Sequence, residues 1–513
     1  MKATRRRAVA ALAAAALATP LLLASASPST AKSPGDDASE LAEKLVAKAS
    51  VKDAYKHLKQ FQRIAETGPS GNRAAGTLGY DASAAYVFSE LKKTGLDVRY
   101  EPFQFLYTET LAQRLRVNSP EPRDVVINAL TYTRSTPVGG VTAEVATVPA
   151  DDTTGCEAAD YAAGGYAGKI ALIKRGGCTF AIKQAAAADA GAIGAIIYNN
   201  VAGSMGGTLS DPAAGRIPVG GISQADGEKL VGQAAAGPVS VGFEIRQLQQ
   251  NRTTHNVIAE TRHGNAANTV VLGAHLDGVH EGPGINDNGS GSAGLLEVAQ
   301  ELAKAEKRPA NKVRFAWWSA EEAGLLGSKA YVNGLTGVGK KEIKLYLNFD
   351  MIASPNYGLF VYDGDNSDGV GAGPGPQGSA QLERDITSYL DRKNIPHEGT
   401  DFSGRSDYGP FIEVGIPSGG TFTGAEGVKT AAQAAKFGGT AGQSYDPNYH
   451  SRGDDINNVN LKAFGVNIGI IANATGTYAH DISSLTKPVA PALSSGKNKG
   501  NGNLRPGHTH PTR

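Results

Sequence analysis

Two apolar runs decide the fold: NTVVLGAHLDG at residues 268–278 and KVRFAWWSAEEAGLLGS at residues 312–328. Each run predicts a buried β-strand that ends in polar residues. The segment between them, GPGINDNGSGSAGLLEVAQELAKA at residues 282–305, predicts a Gly-rich turn followed by an amphipathic helix. This order of elements indicates an α/β fold.

The residues at the predicted strand ends are of types that bind metals. His275 ends the first run, Glu322 follows the second, and IKLYLNFDMI at residues 343–352 places Asp350 after a third. In open α/β sheets, binding sites form outside the carboxyl ends of the strands. Asp287 in the Gly-rich turn adds a fourth ligand type. The alternative for that turn is a plain connector, and it is not a P-loop because it lacks the Gly-Lys-Ser/Thr ending.

A later histidine completes a set of nitrogen and oxygen ligands. Imidazole plus carboxylate suits zinc. Five ligands are too many for one tetrahedral catalytic zinc, and they suit two zinc ions about 3.5–4 Å apart, bridged by one carboxylate and a water. The candidate ligands are His275, Asp287, Glu322, Asp350 and His450.

Composition and charge exclude several classes of protein. Hydrophobic residues make up 41% and charged residues 19% of the chain, a composition that excludes a disordered or coiled-coil protein. The 513 residues are enough for two domains. The nine basic residues in the two ends mask the charge of the body, where 41 basic face 49 acidic side chains. A body of that sign is a poor nucleic-acid binder, because phosphate contacts need clustered cations.

Both ends of the chain differ from the body. Residues 1–31 contain Arg5-Arg6-Arg7 followed by the apolar run AVAALAAAALATPLLLASA and small-residue cleavage sites, which predicts a secretory signal peptide. An uncleaved membrane anchor is the alternative. We therefore expect a secreted, extracellular protein that does not associate with a membrane after cleavage. Residues 486–513 are polar, basic and of low complexity, which predicts a disordered tail.

The middle of the chain contains a separate unit. Residues 169–175, 179–191 and 192–200 predict a strand, an Ala-rich helix and a second strand. The two cysteines, Cys156 and Cys178, are expected to form a disulfide in an oxidising compartment, with two free buried thiols as the alternative.

That unit resembles the protease-associated (PA) domain, on the stretch GKIALIKRGGCTF, on Lys183 and on AGAIGAIIYNN. The resemblance covers residues 126–248 and implies a non-catalytic insert near a protease site. Helical patterns at residues 42–66 and 83–95 precede the insert, and a strand pattern resumes in TTHNVIAETRH after it. The prediction is one catalytic α/β domain in two parts, 32–125 and 249–485, interrupted by the insert.

Six motifs in this order resemble the secreted two-zinc aminopeptidases of the bacterial leucine-aminopeptidase-like kind: HLDG, GINDNGSGSA, AWWSAEEAGLLGS, NFDMIASPN, GRSDYGPF and NYHSRGDD. The resemblance implies a zinc-exopeptidase sandwich, a mixed sheet with helices on both faces. It implies a monomer that takes peptides with free N-termini and removes apolar, leucine-like residues.

The resemblance also assigns roles within the ligand set. Asp287 matches the ligand that bridges both zinc ions, and the Asp287–Asn288 peptide bond is often cis in the family. Asp277 matches a carboxylate that orients the imidazole of the first histidine. The remaining ligands divide into His275 and Asp350 for one zinc, and Glu322 and His450 for the other.

Four further residues match catalytic or substrate-binding positions. Glu321 matches the general base that takes a proton from the attacking water, although a solvated glutamate at a helix start would be the reading elsewhere. Tyr449 matches the tyrosine that donates to the developing oxyanion. Arg405 and Phe422 match substrate contacts, with a surface salt bridge and core packing as their alternatives. Tyr408 departs from close relatives, which carry His, and is expected to alter the rim of the pocket.

Rival functions remain on the same evidence. A serine hydrolase is disfavoured because the chain has no Gly-x-Ser-x-Gly elbow. A one-zinc His-Glu-x-x-His protease is disfavoured because His280-Glu281 and His397-Glu398 both lack the second histidine. A zinc carboxypeptidase or an aminoacyl cyclase on the same scaffold stays open, as does a non-enzymatic binding protein with a PA domain.

Overall fold

The computed structural model describes residues 33–371 and 373–489. The predicted signal peptide, 1–31, lies outside the described residues, and so does the predicted tail from residue 490 onward. Within the described ranges, no helix has both the length and the apolar character needed to cross a membrane.

The described residues form strands, α-helices and short helical turns along the whole chain. The strands are β1 (Asp97–Ser119), β2 (Arg123–Val125), β3 (Asn128–Ala129), β4 (Val141–Thr147), β5 (Ile170–Lys174), β6 (Gly194–Tyr198), β7 (Val219–Ile222), β8 (Ser240–Glu260), β9 (Asn265–His275), β10 (Asn311–Trp318), β11 (Ile343–Phe349), β12 (Phe360–Tyr362), β13 (Glu398–Thr400) and β14 (Ser418–Phe422). The helices are α1 (Pro34–Lys48), α2 (Val51–Thr67), α3 (Leu78–Lys92), α4 (Phe180–Asp189), α5 (Gln224–Ala236), α6 (Gly291–Ala305), α7 (Leu326–Gly334), α8 (Gly337–Glu342), α9 (Ser379–Arg392), α10 (Tyr408–Glu413), α11 (Ala431–Phe437) and α12 (Leu461–His480).

The strands form one mixed sheet. Their order is β13, β12, β14, β11, β9, β10, β8, β4, β5, β6, β7 and β3, and β1 pairs with β8 and β2. β14, β11, β9 and β10 run parallel, whereas β8 is antiparallel to β10 and β12 is antiparallel to β14. The parallel strands therefore end at one edge, which is where the sequence predicts the metal ligands.

Helices cover both faces of the catalytic part of the sheet. Alternate residues of a strand point to opposite faces. Along β10, Phe315 and Trp317 join the core that α1, α2, α6 and α12 help to form, whereas Ala316 and Trp318 join the core beneath α7 and α10. The predicted sandwich with helices on both faces is confirmed.

The N-terminal helical pattern is interrupted. The apolar periodicity of residues 42–66 continues across a break at Ala49 and Ser50, which separates α1 from α2. The Ser50 side chain accepts a hydrogen bond from the backbone N–H of Asp53, so Ser50 is the N-cap of α2. Both of these shorter helices pack against α6.

A long antiparallel ribbon connects the catalytic part to the inserted unit. β1 pairs with β8 from Asp97↔Glu260 to Ser119↔Ser240, so the chain leaves and returns at adjacent positions. β8 contacts β10 at one end and β4 at the other. The inserted unit contains the predicted strand–helix–strand order as β5, α4 and β6.

The predicted disulfide joins Cys156 and Cys178 inside this unit. The buried Lys183 ammonium lies beside it, donating to the Thr154 carbonyl oxygen and lying 3.7 Å from the Cys156 sulfur. Burial lowers the pKa of Lys183 to about 8. Lys183 and the disulfide therefore both hold the loop that contains Thr154 and Cys156.

Removing the disulfide is expected to destabilise the inserted unit by about 3 kcal/mol, because the bond closes a loop whose ends are 22 residues apart in sequence. The variant is Cys156→Ala with Cys178→Ala, and the measurement is thermal unfolding of the oxidised parent and the variant. An unfolding transition that does not shift would contradict a stabilising role for this bond.

Candidate metal centre and pocket

Five predicted ligands meet at the carboxyl edge of the parallel strands. His275 is the last residue of β9 and Asp350 directly follows β11. Glu322 lies in the turn between β10 and α7, and Asp287 lies in the helical turn Ile285–Ser290 before α6. The Asp287–Asn288 peptide bond is cis, as the resemblance implied. His450 comes from the loop before α12, far along the chain.

The two oxygens of Asp287 face two different histidines. Oδ1 lies 3.2 Å from His275 Nε2, and Oδ2 lies 3.1 Å from His450 Nε2. The second carboxylate at each imidazole is Asp350 Oδ1, 3.2 Å from His275 Nε2, and Glu322 Oε2, 3.2 Å from His450 Nε2. The cluster is therefore two half-sites, each of one imidazole and one carboxylate, which share the Asp287 side chain.

The carboxylates give the cluster a strong negative charge. Burial alone would lower the pKa of His275, but the charges of Asp350 and Glu321, with hydrogen bonds to Asp277 and Asp287, raise it well above its ordinary value. The pKa of His450 is raised against burial in the same way by Glu322 and Asp287. Groups arranged like this hold protons or cations, and metal binding at such a centre displaces protons.

Asp277 connects the first histidine to the glutamate turn. Its main-chain oxygen lies 3.1 Å from His275 Nδ1, and its carboxylate oxygen Oδ1 lies farther away, at 3.7 Å. The carboxylate instead accepts backbone N–H donors, from Glu321 at 3.2 Å and from Glu322 at 3.4 Å. Asp277 thus orients the imidazole chiefly through its main chain and holds the two glutamates through its side chain.

A relay of buried hydrogen bonds, which the sequence gives no sign of, reaches the other ligand of His275's half-site. Ser406 Oγ donates to Asp350 Oδ2 at 2.6 Å and accepts from Asn348 Nδ2 at 2.8 Å. The Tyr346 hydroxyl donates to Asn348 Oδ1, and Trp318 Nε1 donates to the Tyr346 oxygen. The relay fixes the oxygen of Asp350 that faces away from His275.

Asp454 positions the backbone at Asp287. Its two oxygens accept the backbone N–H groups of Asn286 at 2.7 Å and Asp287 at 2.9 Å. Asn458 Nδ2 donates to both Asp446 and Asp454, so one amide group links the two carboxylates. Asp454 belongs to the NYHSRGDD motif, but the sequence does not show that it reaches back to Asp287.

Arg73 is a further buried residue at this site. It donates to the carbonyl oxygens of Leu276, Pro283 and Gly284, in the segment that runs from β9 to Asp287. Burial lowers the pKa of Arg73 to about 10, and the negative charges of neighbouring aspartates oppose that shift, so it stays a cation at neutral pH. Its position in GNRAAG, between two helical patterns, gives no signal of this contact.

Replacing Arg73 with methionine is expected to lower the free energy of unfolding by about 3 kcal/mol, because buried carbonyl groups lose charged donors. The loop before Asp287 would also loosen, so zinc affinity should fall. Denaturant unfolding and zinc titration measure the two effects. Arg63→Met is the matched control, because Arg63 is an exposed residue of α2 that donates to Gln60. Equal behaviour of the two variants would contradict the assignment.

A cavity of about 430 Å³ opens directly onto the cluster. Asp287, Glu321, Glu322 and Asp350 line one side. Glu321 is buried and its Oε2 lies 3.9 Å from His275 Nε2, so its carboxylate lies beside the cluster in the cavity lining. The lining also contains several aromatic residues, among them Phe360, Tyr362, Tyr408, Phe422 and Tyr445.

The remaining predicted residues lie around this cavity. Arg405 donates to Glu426 Oε1 at 2.6 Å and to the Tyr449 hydroxyl oxygen at 3.2 Å. The Tyr449 ring stacks on the His450 ring with 3.8 Å between centroids. Phe422 ends β14 and lines the cavity. Tyr408 is buried in the cavity wall rather than placed at the rim, and its hydroxyl accepts from the Gly404 N–H.

The fold and this histidine–carboxylate centre define a metal-dependent hydrolase. The chain matches the model of peptidase family M28 over residues 256–475 and the PA domain model over residues 141–230. The PA match lies within the inserted unit, and the M28 match contains all five candidate ligands.

Relatives and solved structures agree with the match. The chain is 45% identical to "Leucine aminopeptidase 2" of Arthroderma otae over 449 residues, 87% of this chain and 88% of that protein. It is 46% identical to "probable leucine aminopeptidase 2" of Aspergillus oryzae, over 85% of this chain and 86% of that one. Its fold is similar to an aminopeptidase from Aneurinibacillus sp. strain AM-1, with a TM-score of 0.68, 26% identity, and coverage of 88% and 98%.

A zinc aminopeptidase from Bacillus subtilis is also similar, with a TM-score of 0.61 and 28% identity, over 83% of this chain and 95% of that one. The chain belongs to peptidase family M28 and contains a PA domain. The predicted family and the predicted PA insert are thereby confirmed, and the two named sequence relatives are fungal.

Proposed function

We propose that this chain is a zinc-dependent aminopeptidase that removes apolar, leucine-like residues from peptides with free N-termini. The observation that carries the proposal is the position of the Asp287 carboxylate, whose two oxygens each face a different histidine nitrogen at 3.1–3.2 Å. A side chain placed in this way suits a ligand shared between two metal ions. The names of the relatives and of the similar structures support the same activity.

The residues present fit two zinc ions. Each half-site supplies an imidazole and a carboxylate, the donor types that zinc prefers, and Asp287 serves both. His275, Asp350 and Asp287 would hold one ion, and Glu322, His450 and Asp287 the other. Bound zinc would supply a Lewis acid for the scissile carbonyl and lower the pKa of water.

Glu321 is proposed as the general base. Its buried carboxylate lines the cavity beside the cluster and is held through its backbone by Asp277. A carboxylate in this place can take a proton from the attacking water and deliver it to the leaving amine. Its neighbour Glu322 faces His450 instead, so the two glutamates have separate tasks.

Tyr449 is proposed to stabilise the developing oxyanion. Its ring lies against His450, and its hydroxyl oxygen accepts a hydrogen bond from Arg405. A donor from a cation strengthens the phenol as a hydrogen-bond donor in turn, because hydrogen bonds polarise one another. Arg405, beside Tyr449, would also contact the substrate. Phe422 would contact the side chain of the substrate's N-terminal residue.

The cavity supports the preference for apolar N-terminal residues. The aromatic residues in its lining offer an apolar surface for a side chain, and the same cavity is lined by residues of the cluster. Burying such a side chain would release apolar area from water and contribute to binding.

Blocking the substrate's N-terminus tests the proposal. Leucine 4-nitroanilide should be hydrolysed by the zinc-loaded protein, and N-acetyl-leucine 4-nitroanilide should not. A peptide that is blocked at its N-terminus and free at its C-terminus tests the carboxypeptidase alternative, and an N-terminal glutaminyl peptide tests the cyclase alternative. Hydrolysis of the blocked anilide, or no hydrolysis of either anilide, would contradict the proposal.

Export, a monomeric state and the domain division complete the proposal. The signal-like residues 1–31 and the disulfide of the PA unit both suit an oxidising, extracellular compartment. We also propose the division into 32–125, 126–248 and 249–485, and the pairing of Ser119 with Ser240 at the end of the ribbon β1–β8 supports an insert between those strands. A PA insert attached this way can restrict which peptides reach the cavity, because access depends on shape.

A further inference from the structure

Besides the carboxylates of the metal centre and Glu321, the cavity lining contains three charged residues. They are Asp401, Arg405 and Glu426, and Arg405 is the only basic side chain among the described residues that line the cavity. Arg405 Nη1 lies 2.6 Å from Glu426 Oε1, so these two charges pair with each other. Among the residues that the structure describes, Asp401 takes part in no salt bridge. Outside the metal centre, the described lining therefore includes one carboxylate that no described cation pairs with at salt-bridge distance.

Asp401 is held in this position by its neighbours. It is half-buried and follows β13, whose last residue, Thr400, also lines the cavity. Gly371 lies against it so closely that a Cβ at position 371 would be 2.3 Å from the Asp401 Cβ. The φ of Gly371 is +85°, a left-handed conformation that favours glycine, so both its backbone and its lack of a side chain suit the contact.

The aromatic rings next to Asp401 suit a cation as well as an apolar chain. Tyr362, Phe402 and Tyr408 form a cluster in which the ring centroids are 4.7–5.1 Å apart. Burial raises the pKa of Tyr408 to about 12, and the charge of Asp401 contributes to the rise, which places that carboxylate near the phenol. Aromatic faces attract ammonium and guanidinium groups, and a long side chain can bury its methylene stem along them.

We propose that Asp401 makes the pocket accept N-terminal lysine and arginine, in addition to apolar residues. The methylene stem of the substrate would lie along the aromatic wall and its cationic end would pair with the Asp401 carboxylate. This inference rests on the proposed aminopeptidase function and extends its substrate class. A cavity of about 430 Å³ has room for a side chain longer than leucine.

The test compares anilide substrates that differ only in the terminal charge. Lysine 4-nitroanilide is compared with the anilides of norleucine and of Nε-acetyl-lysine, using the full-length zinc-loaded protein. The Asp401→Asn variant should lower the lysine-to-norleucine ratio of kcat/KM by about tenfold, the worth of one charge-assisted hydrogen bond. Asp401→Glu should retain the preference of the parent. Asp365→Asn is the control, because it removes an equal charge from an exposed residue outside the cavity lining.

The outcomes separate the two levels of the account. If the parent cleaves norleucine anilide and the ratio is the same in the parent and in Asp401→Asn, the Asp401 inference is wrong. If the parent cleaves no anilide with a free N-terminus, the proposed function itself is wrong. The parent also provides a test that needs no variant, since it should prefer lysine over Nε-acetyl-lysine anilide. Preference for the neutral acetylated substrate would overturn the inference.

Discussion

Replacing Glu321 with glutamine is expected to lower kcat by about two orders of magnitude or more, the typical worth of a positioned acid–base group. Glutamine keeps the shape of the side chain and its backbone contact with Asp277, but it cannot take a proton. Zinc content and the fold should therefore stay as in the parent. Steady-state kinetics with leucine 4-nitroanilide, combined with metal analysis, measures both properties.

The adjacent glutamate provides the matched comparison. Glu322 faces His450 at 3.2 Å, so Glu322→Gln should weaken zinc binding, whereas Glu321→Gln should not. A Glu321→Gln variant that keeps near-normal kcat would show that another group moves the proton. If both variants lost zinc equally, the division of tasks between the two glutamates would be wrong.

Replacing Asp287 with alanine should have an even broader effect, because this side chain faces both histidines. Both half-sites lose a ligand at once, and the two imidazoles are left without the carboxylate between them. We expect weakened binding of both zinc ions, because Asp287 is proposed as a ligand of both. Activity should therefore fall by about three orders of magnitude or more. Zinc titration and kinetics at increasing zinc concentration measure these effects.

Asp455→Asn is the control for this change. Asp455 comes directly after Asp454, and its Oδ1 accepts the backbone N–H of Asn457 rather than contacting the cluster. It therefore removes a nearby negative charge without removing a proposed ligand. Retention of two tightly bound zinc ions by Asp287→Ala would contradict the bridging role.

The sequence predicts those parts of the site that depend on local pattern. Buried strands are recognisable as apolar runs, and His275 and Asp350 follow from the rule that sites form at strand ends. Asp287 follows from a Gly-rich turn before a helix. His450 completes the ligand set by its residue type, and the resemblance to known two-zinc enzymes supports it, because no local pattern ties it to the others.

The sequence does not predict the residues that hold the ligands in place. Arg73 contacts carbonyl groups more than 200 positions away, and Asp454 accepts from backbone N–H groups of a turn 167 and 168 positions away. Such contacts depend on how helices and loops pack, and a single polar residue in a loop carries no sign of its distant partner. The same reason explains Tyr408, which the sequence places at the rim and the structure places within the wall.

The helix pattern before the insert shows a different limit. Apolar periodicity continues through residues 42–66, because α1 and α2 both present one face to the same core. The break at Ala49 and Ser50 depends on the capping hydroxyl of Ser50, a local feature that the apolar periodicity does not reveal.

The zinc content of the purified protein at saturation tests the central claim most directly. After removal of loosely bound metal, elemental analysis should give two zinc ions per chain, and activity should rise with their addition to the metal-free protein. The five residues His275, Asp287, Glu322, Asp350 and His450 account for this number as two half-sites that share one carboxylate. A saturated content of one zinc ion per chain, or none, would contradict the two-metal account.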